Sequence, residues 1–304
     1  MRIFRRTRTL GAALLAFVLL VAACGGDEEP GGGPDVVIGS FGFGESEIMG
    51  EIYRLALEAE GFTVDHKAQL GSREAVINPA LRSGEINVVP EYIGSGLEVT
   101  FGGEPSGDSD ATRNALQAEW EKEGFTVLDY TPAQDKNGIV VTGETATALG
   151  LSKVSDLVGE AQSLTLGGPP ECPERPRCIP GLQSVYGLTF GDFKALDSGG
   201  PLTVEALAGG EIDVATLFTS DGVIAARGFV LLDDDQGLQP AENIAPVVSQ
   251  ELVDSYGATF TDVLNNVSAK LSQEDLTLMN KLVGYDGEAA TDVARQWLED
   301  NGLI

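Results

Sequence analysis

The sequence is poor in the side chains on which most catalytic and metal sites depend. Its 304 residues include one histidine, His66, and three cysteines, Cys24, Cys172 and Cys178. A structural zinc site needs about four nitrogen or sulfur ligands close together, and a serine hydrolase needs a histidine beside its nucleophile, commonly with a GxSxG turn that this chain lacks. His66 stands in TVDHK, a predicted edge strand where we expect it to be exposed to solvent. The shortage argues against an enzyme and predicts no metal site and no cofactor.

Basic residues are also scarce. The chain has 19 Lys and Arg residues against 47 Asp and Glu residues, a formal net charge of −28 at pH 7. Four of the arginines lie in the opening MRIFRRTR, so the chain after the leader carries 15 basic against 47 acidic residues, or −32. We expect no nucleic acid partner, since phosphate binding needs a basic face. The acidity favours small cationic ligands, although salt screens much of this attraction.

The apolar run near the start of the chain is too short for a permanent membrane span. Residues 10–23 form a run of 14 residues, whereas a membrane helix needs about 20. With the arginines before it, the run predicts an export signal over residues 1–23. The small residues before Cys24 resemble the lipobox of bacterial lipoproteins, so we expect a lipid on Cys24 and a flexible tether over residues 24–34. The protein is then extracytoplasmic and lipid-anchored to the bacterial cell membrane; the alternative is that this cysteine stands there by chance.

The other two cysteines lie close together in the proline-rich segment GGPPECPERPRCIPG. An exported protein folds in an oxidising compartment, where two nearby cysteines usually pair. A zinc site would need further ligands nearby. We therefore expect a disulfide between Cys172 and Cys178.

One segment of the chain occurs twice. Residues 83–96, SGEINVVPEYIGSG, recur 126 positions later as residues 209–222, GGEIDVATLFTSDG. Each copy predicts the end of a helix, a short apolar strand and a Gly/Ser turn. Tyr92 and Phe218 occupy the same place in the two copies. Open α/β sheets bind ligands at the carboxyl ends of their strands, so both rings are candidate ligand contacts; the alternative is that both are ordinary core aromatics.

Strand and helix patterns alternate from residue 35 onward, which is typical of an α/β fold. We predict one lobe from residues 35–137 plus 244–304 and a second from residues 138–243, because segments near 135–142 and 242–248 are candidate crossings. Two lobes with two crossings form a hinged cleft that can close around a ligand. The Gly-rich loop at residues 40–45 should turn backbone N–H groups toward this cleft, where an anionic group could bind. Ser46 is the expected N-cap of the helix that follows.

Five separated motifs resemble those of the substrate-binding proteins of osmoprotectant ABC importers, which bind glycine betaine, carnitine and choline. In order, they are IGSFGFGESEIMG, SGEINVVPEYIGSGL, ERPRCIPGLQSVYGL, FTSDG and IAPVV. The resemblance extends from residue 36 to residue 304. It implies the type II periplasmic-binding-protein fold, a small cationic or zwitterionic solute as ligand, and the permease and ATPase complex of an ABC transporter as partner.

In that family a cage of aromatic rings usually holds the trimethylammonium group of the ligand. The resemblance places Tyr92, in EYIGS, and Phe218, before TSDG, at two cage positions. The other two positions fall at Asn137 and Glu242, which are not aromatic. A quaternary ammonium cannot donate hydrogen bonds and is held by ring faces, at about 0.5 to 2 kcal/mol per face. Phe41 could replace a lost ring, while Glu242 supplies a countercharge.

The ligand carboxylate is often held, in that family, by an arginine of an ERP motif and by a hydroxyl group, which correspond here to Arg175 and Ser95. A basic residue often found in the first loop is replaced by Phe41. Arg175 can form a bidentate pair with a carboxylate; the alternative is a solvated loop arginine. The predicted ligand-binding residues are Ser40, Phe41, Tyr92, Ser95, Asn137, Arg175, Phe218 and Glu242.

Together these patterns predict a lipid-anchored solute-binding subunit of an ABC importer. It would capture a quaternary-ammonium compatible solute of the glycine betaine or choline type by closure of the cleft. The departures from the family's cage leave two alternatives open. One is a ligand that is a different small cationic amine or an amino-acid derivative, and the other is a sensor that binds a ligand without transport.

Overall fold

The computed structural model describes residues 33–304. The predicted export signal, Cys24 and most of the tether lie outside these residues. The strands, in chain order, are β1 (Val36–Phe41), β2 (Val64–Gly71), β3 (Val88–Tyr92), β4 (Phe125–Val127), β5 (Asn137–Thr142), β6 (Thr165–Gly168), β7 (Asp192–Ala195), β8 (Val214–Phe218), β9 (Phe229–Leu232) and β10 (Ile244–Ser249). They form two five-stranded sheets, the first in the order β2-β1-β3-β10-β4 and the second in the order β7-β6-β8-β5-β9.

The two sheets share one plan. In the first, β2, β1 and β3 run parallel and β10 joins β3 in the antiparallel direction. In the second, β7, β6 and β8 run parallel and β5 joins β8 in the antiparallel direction. Strands β3 and β8, which end in Tyr92 and Phe218, therefore hold equivalent positions. The repeat in the sequence corresponds to a repeat in the fold.

The equivalence of the two sheets extends to single packing contacts. A Cβ atom built on Gly39 in β1 would come within 2.4 Å of Ile86, and one built on Gly167 in β6 would come within 2.4 Å of Ile212. Gly39 therefore lets the segment that leads into β3 pack directly on β1. Gly167 does the same for β6 and the segment that leads into β8. Only glycine leaves room for this approach.

The helices are α1 (Gly44–Ala59), α2 (Asn78–Ser83), α3 (Ile93–Ser95), α4 (Ser109–Trp120), α5 (Gly143–Leu149), α6 (Ile179–Tyr186), α7 (Pro201–Ala208), α8 (Gly222–Ala226), α9 (Gln250–Tyr256), α10 (Ala258–Lys270), α11 (Gln273–Gly284) and α12 (Ala290–Asp300). Helices α10, α11 and α12 pack on α1, so the end of the chain returns to the lobe in which it began, as expected. Between residues 33 and 304, no helix combines the length and the apolar character that crossing a membrane would require.

Helix α1 begins earlier than predicted. Its N-cap position is Phe43, which has no side-chain cap, and Ser46 is buried within the first turn. The hydroxyl of Ser46 accepts a hydrogen bond from the backbone N–H of Phe41 over 2.9 Å. The prediction that Ser46 is the N-cap is wrong, because its side chain bonds back to β1 instead of forward to the helix.

The apolar core is divided in the same way as the sheets. One contiguous cluster surrounds the first sheet and includes the fully buried Trp120 and Phe260. The second sheet has two smaller clusters, which contain alternating residues of β5 and therefore lie on opposite faces. Cys172 and Cys178 belong to one of them and are joined by a disulfide, with their Cα atoms 5.2 Å apart.

The two crossings between the sheets run side by side. Gln134 and Asn243 form an isolated antiparallel bridge, and the N–H of Asp135 donates to the carbonyl of Glu242 over 3.0 Å. Asn137 already pairs with Phe218 in the second sheet. We keep the division into residues 35–137 plus 244–304 and residues 138–243 as a proposal, which the distribution of strands between the sheets supports.

Candidate ligand-binding cleft

Three aromatic rings meet where β1 and β3 end. The ring centre of Phe41 lies 6.0 Å from that of Phe43 and 6.2 Å from that of Tyr92, and Phe43 lies 5.8 Å from Tyr92. Parallel neighbouring strands bring their carboxyl ends together, which is why the rings converge here. Phe41 and Tyr92 are buried, whereas Phe43 is 43% exposed. Sequence reasoning missed Phe43, although the FGFG pattern of the loop was a possible signal.

A half-buried arginine lies against this aromatic cluster. The guanidinium group of Arg73 stands 4.7 Å from the centre of the Phe41 ring and pairs with Glu91 over 2.7 Å. Glu91 is fully buried, so the two charges neutralise each other inside the protein. Nothing in the sequence patterns singled out Arg73. The positive charge of Arg73 is neutralised by Glu91, and its guanidinium group stacks on the ring of Phe41 and holds it in place.

Tyr92 is also held by Glu45, near the start of α1. The Tyr92 hydroxyl donates to Glu45 Oε1 over 2.8 Å, and the side-chain amide of Asn280 donates to the other carboxyl oxygen. Burial raises the pKa of Glu45, although the hydrogen bonds from Asn280 and Tyr92 oppose this effect. Burial and the charge of Glu45 raise the pKa of Tyr92 well above its usual value, so its hydroxyl remains a donor.

Two further carboxyl groups reach this region from the first crossing and from the second sheet. Asp135 accepts a hydrogen bond from the hydroxyl of Ser220 over 2.7 Å. Burial and the charge of Glu45 raise the pKa of Asp135 well above its usual value. Burial raises the pKa of Asp221 to about 6, against a hydrogen bond from the N–H of Phe218. The acids come from both sides of the cleft, so a cation among them would be attracted by each.

Ser95 and Glu242, two of the predicted residues, bind each other. The N–H of Ser95 donates to Glu242 Oε2 over 3.0 Å, and its hydroxyl donates to Oε1 over 2.9 Å. Burial raises the pKa of Glu242 to about 7, although these hydrogen bonds and the charge of Arg73 oppose it. Gly94 permits the contact, since a Cβ atom there would lie 2.5 Å from the carbonyl of Ala241. The hydroxyl expected to hold a ligand carboxylate is thus bonded to a carboxyl group of the protein.

Asn137 and Phe218 lie beside each other on the second sheet. They are partners in the antiparallel register of β5 and β8. Asn137 is exposed, with its amide 3.4 Å from Gln239 Oε1, and Phe218 is half-buried. Within residues 33–304, no ring stacking joins Phe218 to Tyr92. The structure therefore brings the predicted residues together in separate groups, one on each sheet and one at the crossing.

The disulfide loop presents a different arginine from the predicted one. The side chain of Arg175 is 60% exposed and pairs with Glu171 over 2.9 Å. Arg177 instead reaches across to the first lobe, where it donates to Glu98 over 3.2 Å and to the carbonyl of Pro105 over 3.3 Å. These contacts do not support a carboxylate-binding role for Arg175. The sequence alone could not separate the two arginines, because the path of the loop between them decides which one reaches the first lobe.

Ser40 and His66 are placed differently from expectation. The side chain of His66 is 2% exposed, with Nδ1 2.6 Å from Glu51 Oε1 and Nε2 3.1 Å from Ser40 Oγ. Ser40 is fully buried, and its oxygen also accepts the N–H of Gln69 over 3.0 Å. The prediction of a solvent-exposed His66 is wrong, because α1 packs over this part of β2. Ser40 bonds within the protein and does not present its hydroxyl to a ligand.

The backbone N–H groups of the first loop are also used within the protein. The N–H of Phe41 donates to Ser46, that of Gly42 donates to the carbonyl of Gly71 over 3.0 Å, and that of Phe43 donates to the carbonyl of Phe41 over 2.8 Å. The expectation that this loop offers free N–H groups to an anion is wrong for these three residues. The loop closes on itself and on β2, so its contribution to the cleft is aromatic.

Two surface grooves, of about 310 and 320 Å³, lie elsewhere on the second lobe. The first is lined by Leu196, Pro201, Leu202, Glu205, Ala206 and Glu211, and the second by residues between 179 and 193. Neither lining includes a predicted site residue. The candidate cleft is defined instead by side chains that converge from both lobes, the aromatic rings of Phe41, Phe43 and Tyr92 and the carboxyl groups near them.

Comparison with known proteins identifies the family to which the chain is similar. The family described as the substrate binding domain of ABC-type glycine betaine transport system matches residues 34–300. The glycine betaine-binding protein YehZ of Escherichia coli strain K12 is 29% identical over 283 residues, covering 88% of this chain and 90% of that protein. A glycine-betaine-binding protein of Pseudomonas aeruginosa is 27% identical over 278 residues, covering 88% of each chain.

A solved structure agrees with these relatives. The crystal structure of a glycine betaine/carnitine/choline ABC transporter superposes with a TM-score of 0.81 at 26% identity, over 88% of this chain and 99% of that one. This similarity confirms the expected type II periplasmic-binding-protein fold. Binding proteins of ABC importers work outside the cytoplasm, so the chain is extracytoplasmic. The chain therefore belongs to the family of substrate-binding domains of ABC-type glycine betaine transport systems, and it is a solute-binding protein and not an enzyme.

Proposed function

We propose that this protein captures a small quaternary-ammonium solute, of the glycine betaine or choline class, and delivers it to the permease and ATPase complex of an ABC importer. The observation that carries the proposal is the aromatic cluster of Phe41, Phe43 and Tyr92 with the buried carboxyl group of Glu45 beside it. The ligand would lie in the cleft between the lobes. Closure of the lobes would then enclose it.

The chemistry of the head group explains why this cluster suits it. A quaternary ammonium has no N–H to donate, so hydrogen-bond acceptors alone cannot hold it, whereas aromatic faces attract it. Phe43 is the exposed member of the cluster and stacks on the buried Phe41. The inner rings therefore fix the orientation of the one that meets the cleft.

The charges around the cleft favour a ligand with a positive group. Glu45 and Glu242 are buried, Asp135 and Asp221 are half-buried, and the removal of water raises the pKa of all four carboxyl groups. The nearby cation Arg73 is bonded to Glu91. A bound cation would offset the cost of ionising these carboxyl groups. The relatives named for glycine betaine agree with this ligand class.

A second candidate ligand is a small cationic amine or amino-acid derivative that carries N–H donors. Two positions of the family's cage are occupied here by Asn137 and Glu242, which accept hydrogen bonds but offer no ring. Asn137 is exposed on the second sheet, beside Phe218. A ligand with N–H donors could use both the carboxyl groups and this amide.

Titration calorimetry with matched variants tests the proposal. Glycine betaine, choline, carnitine and arginine are titrated into the wild type, Phe43→Ala, Tyr92→Ala and Phe218→Ala. We expect a quaternary ammonium to bind the wild type, and each lost ring to weaken binding about 5- to 30-fold, or about 1 to 2 kcal/mol. Leu149→Ala is the control, because Leu149 is 38% exposed and lies on the second lobe. Binding of arginine alone would favour the second candidate, and binding indifferent to all three rings would refute this placement of the site.

We also propose that Cys24 carries the lipid that anchors the protein to the membrane. The support is the sequence itself, with an apolar run of 14 residues that ends in small residues before this cysteine. The acidic, glycine-rich segment that follows has the composition of a flexible tether. Such an anchor would keep the binding protein close to its transporter.

A further inference from the structure

Glu51, His66 and Ser40 form a continuous chain of hydrogen bonds. This chain lies beside the loop that carries Phe41 and Phe43, which we call the aromatic loop. The chain joins three elements, since Glu51 lies in α1, His66 in β2 and Ser40 in β1. The two links measure 2.6 Å, from Glu51 Oε1 to His66 Nδ1, and 3.1 Å, from His66 Nε2 to Ser40 Oγ. His66 is the single histidine of the sequence.

The direction of each hydrogen bond follows from the charge on Glu51. Burial opposes its ionisation, but hydrogen bonds from His66, Arg54 and Thr291 outweigh burial and lower the pKa of Glu51 to about 2. The ionised carboxylate can only accept, so His66 Nδ1 donates to it. In the neutral imidazole, Nε2 is then an acceptor, and the hydroxyl of Ser40 donates a hydrogen bond to it.

This order of residues is also found in serine hydrolases, but the surroundings of Ser40 exclude that chemistry. Ser40 is fully buried, and its oxygen accepts the N–H of Gln69 over 3.0 Å. No substrate carbonyl can reach it. The chain therefore orients the Ser40 oxygen and does not activate it.

The backbone is shaped to accommodate the ring of His66. A Cβ atom on Gly50, in the middle of α1, would lie 2.2 Å from His66 Nε2. Glycine is unfavourable in a helix interior. Its presence here lets α1 pack directly on the imidazole.

The Ser40 oxygen stabilises an irregularity that sets the position of the aromatic loop. The pairing of β1 with β2 shifts between Gly39 and Phe41, where two residues of β1 oppose a longer stretch of β2. Gln69 lies in this stretch with φ of 50°, in the left-handed region. This conformation is unfavourable for a residue other than glycine. The hydrogen bond from its N–H to Ser40 offsets part of that cost.

We propose that His66 is a positioning residue for ligand binding. It holds the Ser40 oxygen, which holds the bulge at Gln69, and the bulge fixes where Phe41 and Phe43 stand. The proposal rests on the proposed function, because it assumes that these rings contact the ligand. It adds that the affinity of the cleft depends on a buried histidine that the ligand never touches.

Two isosteric variants separate positioning from simple destabilisation. In His66→Asn the amide can replace Nδ1 and keep the bond to Glu51, whereas in His66→Gln it can reach the place of Nε2 and keep the bond to Ser40. Ser40→Ala removes the hydroxyl. We expect Ser40→Ala and His66→Asn to weaken binding of choline or glycine betaine about 10-fold, and His66→Gln to stay within about 3-fold of the wild type.

Thermal unfolding and a core variant distinguish lost positioning from lost stability. Thermal unfolding should show at least as large a loss for His66→Gln, which gives up the charge-assisted bond to Glu51, as for His66→Asn. Leu264→Ala, in the core of α10, should lose stability without losing affinity. Equal affinity of the Asn and Gln variants, or wild-type affinity of Ser40→Ala, would overturn the proposal.

A second readout needs no ligand. Exchange of the Gln69 amide proton, followed by NMR, should be faster in Ser40→Ala and His66→Asn but not in His66→Gln. If the wild type binds neither solute, the proposed ligand class fails while the amide exchange still decides whether His66 positions the loop. Unchanged exchange in all three variants would refute it.

Discussion

Replacing Glu242 with glutamine should stabilise the ligand-free protein at pH 8 and change its stability much less at pH 5. Glu242 is 9% exposed and bonded to the N–H and hydroxyl of Ser95. Glutamine has the same shape, can accept from the Ser95 N–H and can donate to its hydroxyl. The substitution therefore mimics the protonated form of the native side chain.

The magnitude follows from the pKa. Burial raises the pKa of Glu242 from 4.5 to about 7. The folded state thus holds a proton that the unfolded state has released, and stability falls as the pH rises from about 4.5 through about 7. At about 1.36 kcal/mol per pKa unit, the loss is about 1 kcal/mol at pH 5 and about 3 kcal/mol at pH 8. The glutamine variant escapes this loss, so its advantage should grow by about 2 kcal/mol between the two pH values.

Urea unfolding of the wild type and Glu242→Gln at pH 5 and pH 8 measures this difference. Asp135, Asp221 and Glu45 also have raised pKa values, so comparing the variant with the wild type at each pH isolates Glu242. A difference in unfolding free energy that is the same at both pH values would refute the reasoning. So would a glutamine variant that is less stable than the wild type at pH 8.

The remaining predictions concern the cysteines. Intact mass measurement of the nonreduced exported protein should show Cys172 and Cys178 joined, and two free thiols in such material would contradict this. Because the loop between them is short, removing the bond should cost about 3 kcal/mol or less in urea unfolding. Cys24→Ser should release the protein from the membrane fraction, and unchanged detergent-resistant association would rule out the proposed anchor.

The repeat made the fold predictable from the sequence. Tyr92 and Phe218 stand at equivalent places in the two copies, and they end equivalent strands of two sheets with one plan. Apolar periodicity also predicts helices over residues 250–256, 260–271, 273–283 and 288–301, and their ends lie within two residues of those of α9 to α12. Strand β7 was missed, because DFKA is an edge strand that is not fully buried and lacks an apolar pattern.

The site was less predictable, because its contacts join residues far apart in the chain. Ser40 and Glu51 lie 26 and 15 positions from His66, so a lone histidine in a polar strand gave no sign of either partner. The role of Arg177 depends on the path of the disulfide loop. Glu242 was predicted as a countercharge for a ligand, but its contact with Ser95 could be found only from the fold.

Native mass spectrometry of the mature protein, alone and with glycine betaine, choline, carnitine, arginine and a neutral sugar, tests the central claim most directly. The account predicts a one-to-one complex with at least one quaternary-ammonium solute. This complex should still be detected at ligand concentrations too low for arginine or the sugar to bind. It predicts that Phe43→Ala weakens this complex. A complex with the neutral sugar, and none with the quaternary-ammonium solutes, would contradict it.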